Sequence, residues 1–182
     1  VGSRQVEPEV HRFCAEIARS AVDADYRVVS GGAMGCDRAA LDAAGRHGGH
    51  TFLVAPHGLD RLDSPIPEGQ IVVSLCEPQE PFSTGRAMER NALIYAAGRI
   101  TVVAEARFRG GGTWHGAVSA IRRGLTHILV REPEPGEKDE VVRGARALVA
   151  LGAKPIQHPS ELTTSIDTGF ADFSLFGALR VG

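Results

Sequence analysis

The chain has 182 residues, the size of one domain with a buried core, and its content of 43% hydrophobic and 23% charged residues excludes a disordered or fibrous protein. Its formal charge of -2 excludes a global basic field that would draw in nucleic acid, so any anion site must be local. Cys14, Cys36 and Cys76 share no metal-ligand spacing, no apolar run is long enough to span a bilayer, and no stretch of these residues reads as a signal peptide. The expectation is a reduced, soluble, cytoplasmic protein without a membrane partner.

In chain order, EPEVHRFCAEIARSAV is expected to be a helix, because Val10, Phe13, Cys14 and Ile17 recur at helical spacing. RVVS is a strand. The stretch VVSGGAMGCDRAAL, 28–41, passes from β-branched residues through a Gly-rich turn into the helix CDRAALDAAGRH, which Gly48 and Gly49 stop. TFLVAP is a buried strand, HGLDRLDSPIPEGQ a loop and IVVSLC a short strand. The loop EPQEPFSTGR leads into helix AMERNALIYAAG, strand ITVVAEA, turn RFRGGGT, helix WHGAVSAIRRG and strand THILV. After the charged linker REPEPGEKDE come helix EVVRGARALVALG, an edge strand at KPIQ, and a helical turn in PSELTTSI with Ser160 as cap.

Strands of near-continuous Val/Ile/Leu character separated by helices predict an α/β fold, a doubly wound, Rossmann-like parallel sheet in a single domain over 1–166. Residues 167–182, rich in Phe and Gly, fit no period and read as a docking tail. The opening VGSR reads as the end of a first strand whose body would lie upstream of Val1.

In such sheets ligands bind in the crevice at the carboxyl ends of the strands. Sequence delivered to that edge comprises Gly2, Ser3 and Arg4; the loop with Ser30, Gly31, Gly32, Gly35 and Asp37; Arg90 and Asn91; and Gly111, Gly112 and Thr113. Bare backbone in such loops lets a phosphate approach main-chain N–H groups. Arg90 can reach a phosphate or pair with Glu89 or Glu105, Asn91 can bond a base or sugar, and Asp37 and Thr113 can equally cap the helices that follow. Trp114 and His115 would stack on a base if exposed, although a lone Trp more often belongs to the core. The loop is neither G-x-G-x-x-G nor a Gly-Lys-Ser/Thr P-loop. No set of nucleophile, base and orienting group stands out, and the histidines lack metal spacing. No cofactor and no metal are assigned, and enzymatic activity is without support.

Together these stretches resemble the DNA-processing protein A (Smf) family. VGSR is similar to the family's opening turn, VVSGGAMGCD to its S-G-x-A-x-G-I-D loop, and GGHTFLVAPHGLD to its G-G-x-T-I-A-V-L-x-x-G-L-D segment. RNALIYAAGRITVVAEA is similar to R-N-R-I-I-A-G-L-S-x-x-V-V-V-V-E-A, and RALVALGAKPIQHPSEL to N-x-L-I-x-x-G-A-x-x-V-x-x-x-x-D-I-L. The resemblance runs in one order over residues 1 to about 162. It departs at Ala92, where the family has a second Arg, at Leu41 near its usual His, at RAME in place of F-P-x, and at RGGGTWH in place of R-S-G-[ST]-x-x-T. The resemblance implies a Rossmann-like core that binds single-stranded DNA without turnover, commonly self-associates as a homodimer, and helps load a recombinase partner. It also implies that Gly2, Ser3, Arg4, the loop from Ser30 to Asp37, Arg90 and Asn91 line a phosphate pocket. MERNA and GGGT are also similar to the motifs of LOG-type phosphoribohydrolases, whose acid position falls at or beside His115 and Gly116. Release of a base from a nucleoside monophosphate is therefore a second reading, and sensing of a small nucleotide a third.

Overall fold

The computed structural model describes residues 1–167, so the tail expected at 167–182 lies, apart from Asp167, outside the described residues. The strands are β1 (Val28–Ser30), β2 (Thr51–Ala55), β3 (Gln70–Ser74), β4 (Ile100–Val103), β5 (His127–Arg131) and β6 (Lys154–Ile156). Between them lie α1 (Pro8–Asp23), α2 (Cys36–Arg46), α3 (Thr84–Ala97), α4 (Gly111–Arg123), α5 (Asp139–Ala150) and α6 (Glu161–Asp167). No described helix is long and apolar enough to cross a membrane.

All described strand pairs are parallel, in two three-stranded sheets ordered β1-β2-β3 and β4-β5-β6. Strands that bury both faces read as apolar runs, and β5 shows why. Ile128 and Val130 pack with Tyr95, Trp114, Ala117 and Leu148 in one cluster. Leu129, pointing the other way, packs with Val10, Phe13, Cys14, Cys36 and Ile156 in another. The helices thus cover both faces of a Rossmann-like α/β sheet, as the alternation of elements predicts.

The VGSR segment does behave as strand end running into turn. The Val1 amino group donates to the Val102 carbonyl at 2.9 Å, and the Ala104 N–H donates to the Val1 carbonyl at 3.0 Å. Val1 thereby continues the parallel pattern along the edge of β4 that β5 does not use. KPIQ is an edge strand, as expected, because β6 pairs only with β5.

Two helices begin earlier than the apolar pattern predicts. Ser83 accepts the Arg86 N–H at 3.1 Å and caps α3, so Thr84 to Arg86 belong to the helix rather than to the preceding loop. In α4, Gly110 holds the N-cap position, and Gly111, Gly112 and Thr113 form the first turn. Periodicity registers only where side chains become apolar, one turn after the capped start.

Arg131, at the end of β5, is 4% exposed and ties the second half together. Its Nε donates to the Ala104 carbonyl at 3.0 Å and its Nη2 to Glu137 at 2.8 Å, while the guanidinium sits 5.9 Å from the Phe13 ring centroid. Burial alone would push the Glu137 carboxyl up, but the hydrogen bonds from Arg131 and the Glu134 N–H outweigh it and hold the group below its ordinary value. A carboxylate depressed in the folded state contributes stability above its unfolded pKa of about 4.3 and loses that contribution as pH falls through the folded value. The urea midpoint of the native chain should therefore exceed that of Glu137→Gln by a constant margin near neutrality, and the margin should close below about pH 4.3. A margin independent of pH would show that this ion pair adds nothing.

Helix α5 crosses so near the chain after β4 that a Cβ on Gly144 would lie 2.0 Å from the Ala106 carbonyl oxygen. Gly144→Ala should lower unfolding free energy by about 1–3 kcal/mol, despite alanine's better helix propensity, because backbone cannot give way. Denaturant unfolding checks this, and a neutral or stabilising result would contradict the packing described.

Candidate anion-binding crevice

The loop between β1 and α2 is held from beneath by an arginine. Arg90 lies in the middle of α3 and is 6% exposed. Its Nη1 donates to the carbonyl of Val54 on β2 at 2.6 Å. The guanidinium lies against Gly31, where an added Cβ would sit 1.9 Å from Nη1. Neither Glu89 nor Glu105 pairs with it, and among the described residues no carboxylate comes within ion-pair distance of it. Burial lowers its pKa, the buried Asp37 opposes that, and the exposed Arg4 adds to it, so these three charges feel one another.

The N-terminal turn packs onto the same loop. The Cys36 N–H donates to the Ser3 carbonyl at 3.2 Å. Gly35, with φ of 81°, occupies the N-cap position of α2, and a Cβ there would meet the Ser3 and Arg4 carbonyl oxygens at 2.4 and 2.6 Å. Both its conformation and this contact require glycine. Asp37 makes no cap; it lies in the first turn of α2, behind the position that Gly35 takes. Cys36, 1% exposed, is a packing residue, as expected.

The first turn of α4 closes the other side. The Thr113 hydroxyl donates to the Gly2 carbonyl at 3.1 Å rather than capping α4, whose N-cap is Gly110. The Tyr95 hydroxyl donates to the Thr113 carbonyl at 3.1 Å, and burial, with the charge of Asp37, pushes that phenol up. Asn91 is half-buried, its Nδ2 3.3 Å from where a Gly112 Cβ would be. Gly32 lies over Leu53, and Gly111 stands open with nothing within 4 Å of an added Cβ. Trp114 is 7% exposed and edge-on to Phe108 at 5.2 Å, so it belongs to the core and cannot stack on a base, whereas His115 is exposed.

The crevice is rich in unused donors. The N–H groups of Gly32, Ala33, Met34 and Gly35 make no hydrogen bond within the described residues. The first-turn N–H groups of α4 have no intrahelical acceptor. Among the described residues only two buried side-chain polar atoms lack a partner, Ser30 Oγ and Arg90 Nε, and both belong to this site. A buried polar group left unsatisfied costs about 1–3 kcal/mol. N–H groups without acceptors, a hydroxyl and a guanidinium brought together in this way can hold an anion. Among the described residues no group of His, Cys, Asp and Glu could hold a metal ion. Sequence reasoning missed the Val54 carbonyl, the Tyr95 hydroxyl and the exposed Met34 at the loop tip; the local pattern marks only the methionine, as an apolar residue inside a polar turn.

Comparison with known proteins bears on the family and the fold. The sequence model for DNA recombination-mediator protein A matches residues 1–167. A putative DNA processing protein DprA of Mycobacterium tuberculosis (strain ATCC 25618 / H37Rv) is 29% identical over 173 residues, covering 89% of this chain and 43% of its own length. The chain thus spans less than half of that relative. DNA processing protein A from Streptococcus pneumoniae superposes with a TM-score of 0.77 at 26% identity, over 90% of this chain and 59% of its own. DNA processing protein A from Helicobacter pylori, a binder of single-stranded DNA, gives 0.76 at 22% identity over 91% and 77%. A molybdenum cofactor binding protein from Rippkaea orientalis, with a TM-score of 0.65 at 14% identity over 91% of this chain and 93% of its own, shares the fold. With the family model matched over residues 1–167, the chain belongs to the DNA recombination-mediator protein A family.

Proposed function

We propose that the crevice binds the phosphates of single-stranded DNA and that the chain is a DNA-holding core in DNA processing and recombination, acting without catalytic turnover. What supports this reading is that Ser30 Oγ, at the end of β1, and Arg90 Nε, whose guanidinium lies against Gly31, are both buried without partners beside a loop of unused N–H donors. A phosphate oxygen supplies the acceptors that such groups need. Arg4, exposed at the mouth and without an ion pair among the described residues, supplies charge where a backbone would pass. In a protein of net charge -2, a cation there selects phosphate locally. Work as a homodimer beside a recombinase, carried over from the resemblance, is part of this proposal; light scattering of the chain in solution tests the dimer.

Phosphoribohydrolase chemistry fits the site less well. A carboxylate would be needed near residues 115 and 116, yet a Cβ at Gly116 would lie 2.6 Å from the Tyr95 ring, and His115 is no carboxylic acid.

A labelled short oligonucleotide titrated over a range of salt tests the reading. Affinity should fall with salt at a log–log slope near -0.7 for each phosphate held. Arg4→Ala should weaken binding and make that slope shallower by roughly 0.7. Gly31→Ala, which forces the Arg90 guanidinium aside, should also weaken it, whereas Arg143→Ala on α5 should not. A salt-independent affinity, or Arg4→Ala binding as tightly as Arg143→Ala, would refute the proposal.

A further inference from the structure

Beside the crevice, a second cavity runs between α3 and α4. It measures about 160 Å³ and is walled by Met88, Asn91 and Ala92 on α3 and by His115 and Ser119 on α4, with the buried Tyr95 at its base. The α3 residues recur at i, i+3 and i+4, as do positions on α4, so two helical faces oppose one another. Asn91 and Gly112 line this cavity and also belong to the proposed phosphate site, which makes the two contiguous.

Three features define what it can take. Its volume is well under the ~300 Å³ at which pockets enclose drug-sized ligands, which leaves room for one flat base and not for a whole nucleotide. Its walls mix apolar surface from Met88 and Ala92 with the amide of Asn91, the imidazole of His115 and the hydroxyl of Ser119. Those groups both donate and accept, as the edge of a heterocycle requires. Ala92 is exposed, and its methyl leaves the mouth open where the resembled family carries an arginine.

Resting on the phosphate reading above, we propose that this cleft receives the nucleobase of the nucleotide whose phosphate lies in the crevice. The site then reads one base as well as backbone. A larger cavity of about 610 Å³, walled by Arg131, Pro133, Val142 and Arg146, shares no residue with either part and takes no role in this.

The test is calorimetric titration of the chain with deoxyadenosine monophosphate and with 2-deoxyribose 5-phosphate, which carries the same phosphate and no base. The nucleotide should bind roughly tenfold more tightly, the size expected of one base contact. Ala92→Phe should fill the cleft and abolish that advantage while leaving the affinity for the sugar phosphate unchanged; Ser119→Phe, from the facing helix, should do the same. Unchanged sugar-phosphate affinity also reports that each variant is folded. Equal affinity of the native chain for both ligands would overturn the base cleft while leaving the phosphate site standing. An advantage that survives both substitutions would overturn it likewise. Binding of neither ligand would overturn both readings.

Discussion

The architecture of the site depends on one buried guanidinium. Arg90 donates to the Val54 carbonyl, lies against the bare backbone of Gly31 and feels the charges of Asp37 and Arg4. A cation 6% exposed and without an ion pair is costly to bury, because desolvation is not repaid by a single neutral acceptor. The fold tolerates it because the carbonyl at the end of β2, the nearby carboxylate and the close-lying loop share the burden. A phosphate would meet the remaining demand at Nε. On the phosphate proposal, stability and ligand affinity are coupled at this residue, because a bound anion would supply the acceptor for which Nε has no partner.

The rest of the crevice follows from how the chain is threaded around that cation. Val1 continues the pattern of β4, so the turn after it delivers Gly2, Ser3 and Arg4 to the carboxyl edge of the strands. Ser3 then receives the Cys36 N–H and Gly2 receives the Thr113 hydroxyl, joining the starts of α2 and α4 through one short segment. Tyr95 ties α3 to that same turn. Four separate stretches of sequence are thereby fixed relative to each other by backbone carbonyls, not by side-chain ion pairs. Such contacts are insensitive to salt, whereas the phosphate contacts proposed for the site are not.

Much of the fold was legible because parallel strands announce themselves as apolar runs and their helices as a 3.6-residue period. Every strand predicted from RVVS onward, and every predicted helix, exists. Helix starts were less legible: α3 and α4 begin under Ser83 and Gly110, where capping chemistry rather than hydrophobicity decides. For the same reason Asp37 and Thr113 looked like caps, although Gly35 and Gly110 take those places. The glycines of the site could be read from sequence, but not what each one touches. That Gly31 covers a guanidinium and Gly116 covers a phenol are facts of long-range packing, in which residues far apart in the chain meet. The α3–α4 cleft was hidden for that reason too, since neither face marks a cavity until the two helices are placed side by side.

On the proposed function, the orphaned donors around Arg90 and Ser30 hold a phosphate of single-stranded DNA. A crystal structure of the chain with a short deoxyoligonucleotide tests it most directly. A phosphate oxygen should lie within hydrogen-bond distance of Ser30 Oγ and of the free N–H groups of Gly32 to Gly35, with the Arg90 Nε no longer unpaired. Phosphates seated elsewhere, with Ser30 and Arg90 still lacking acceptors, would contradict it.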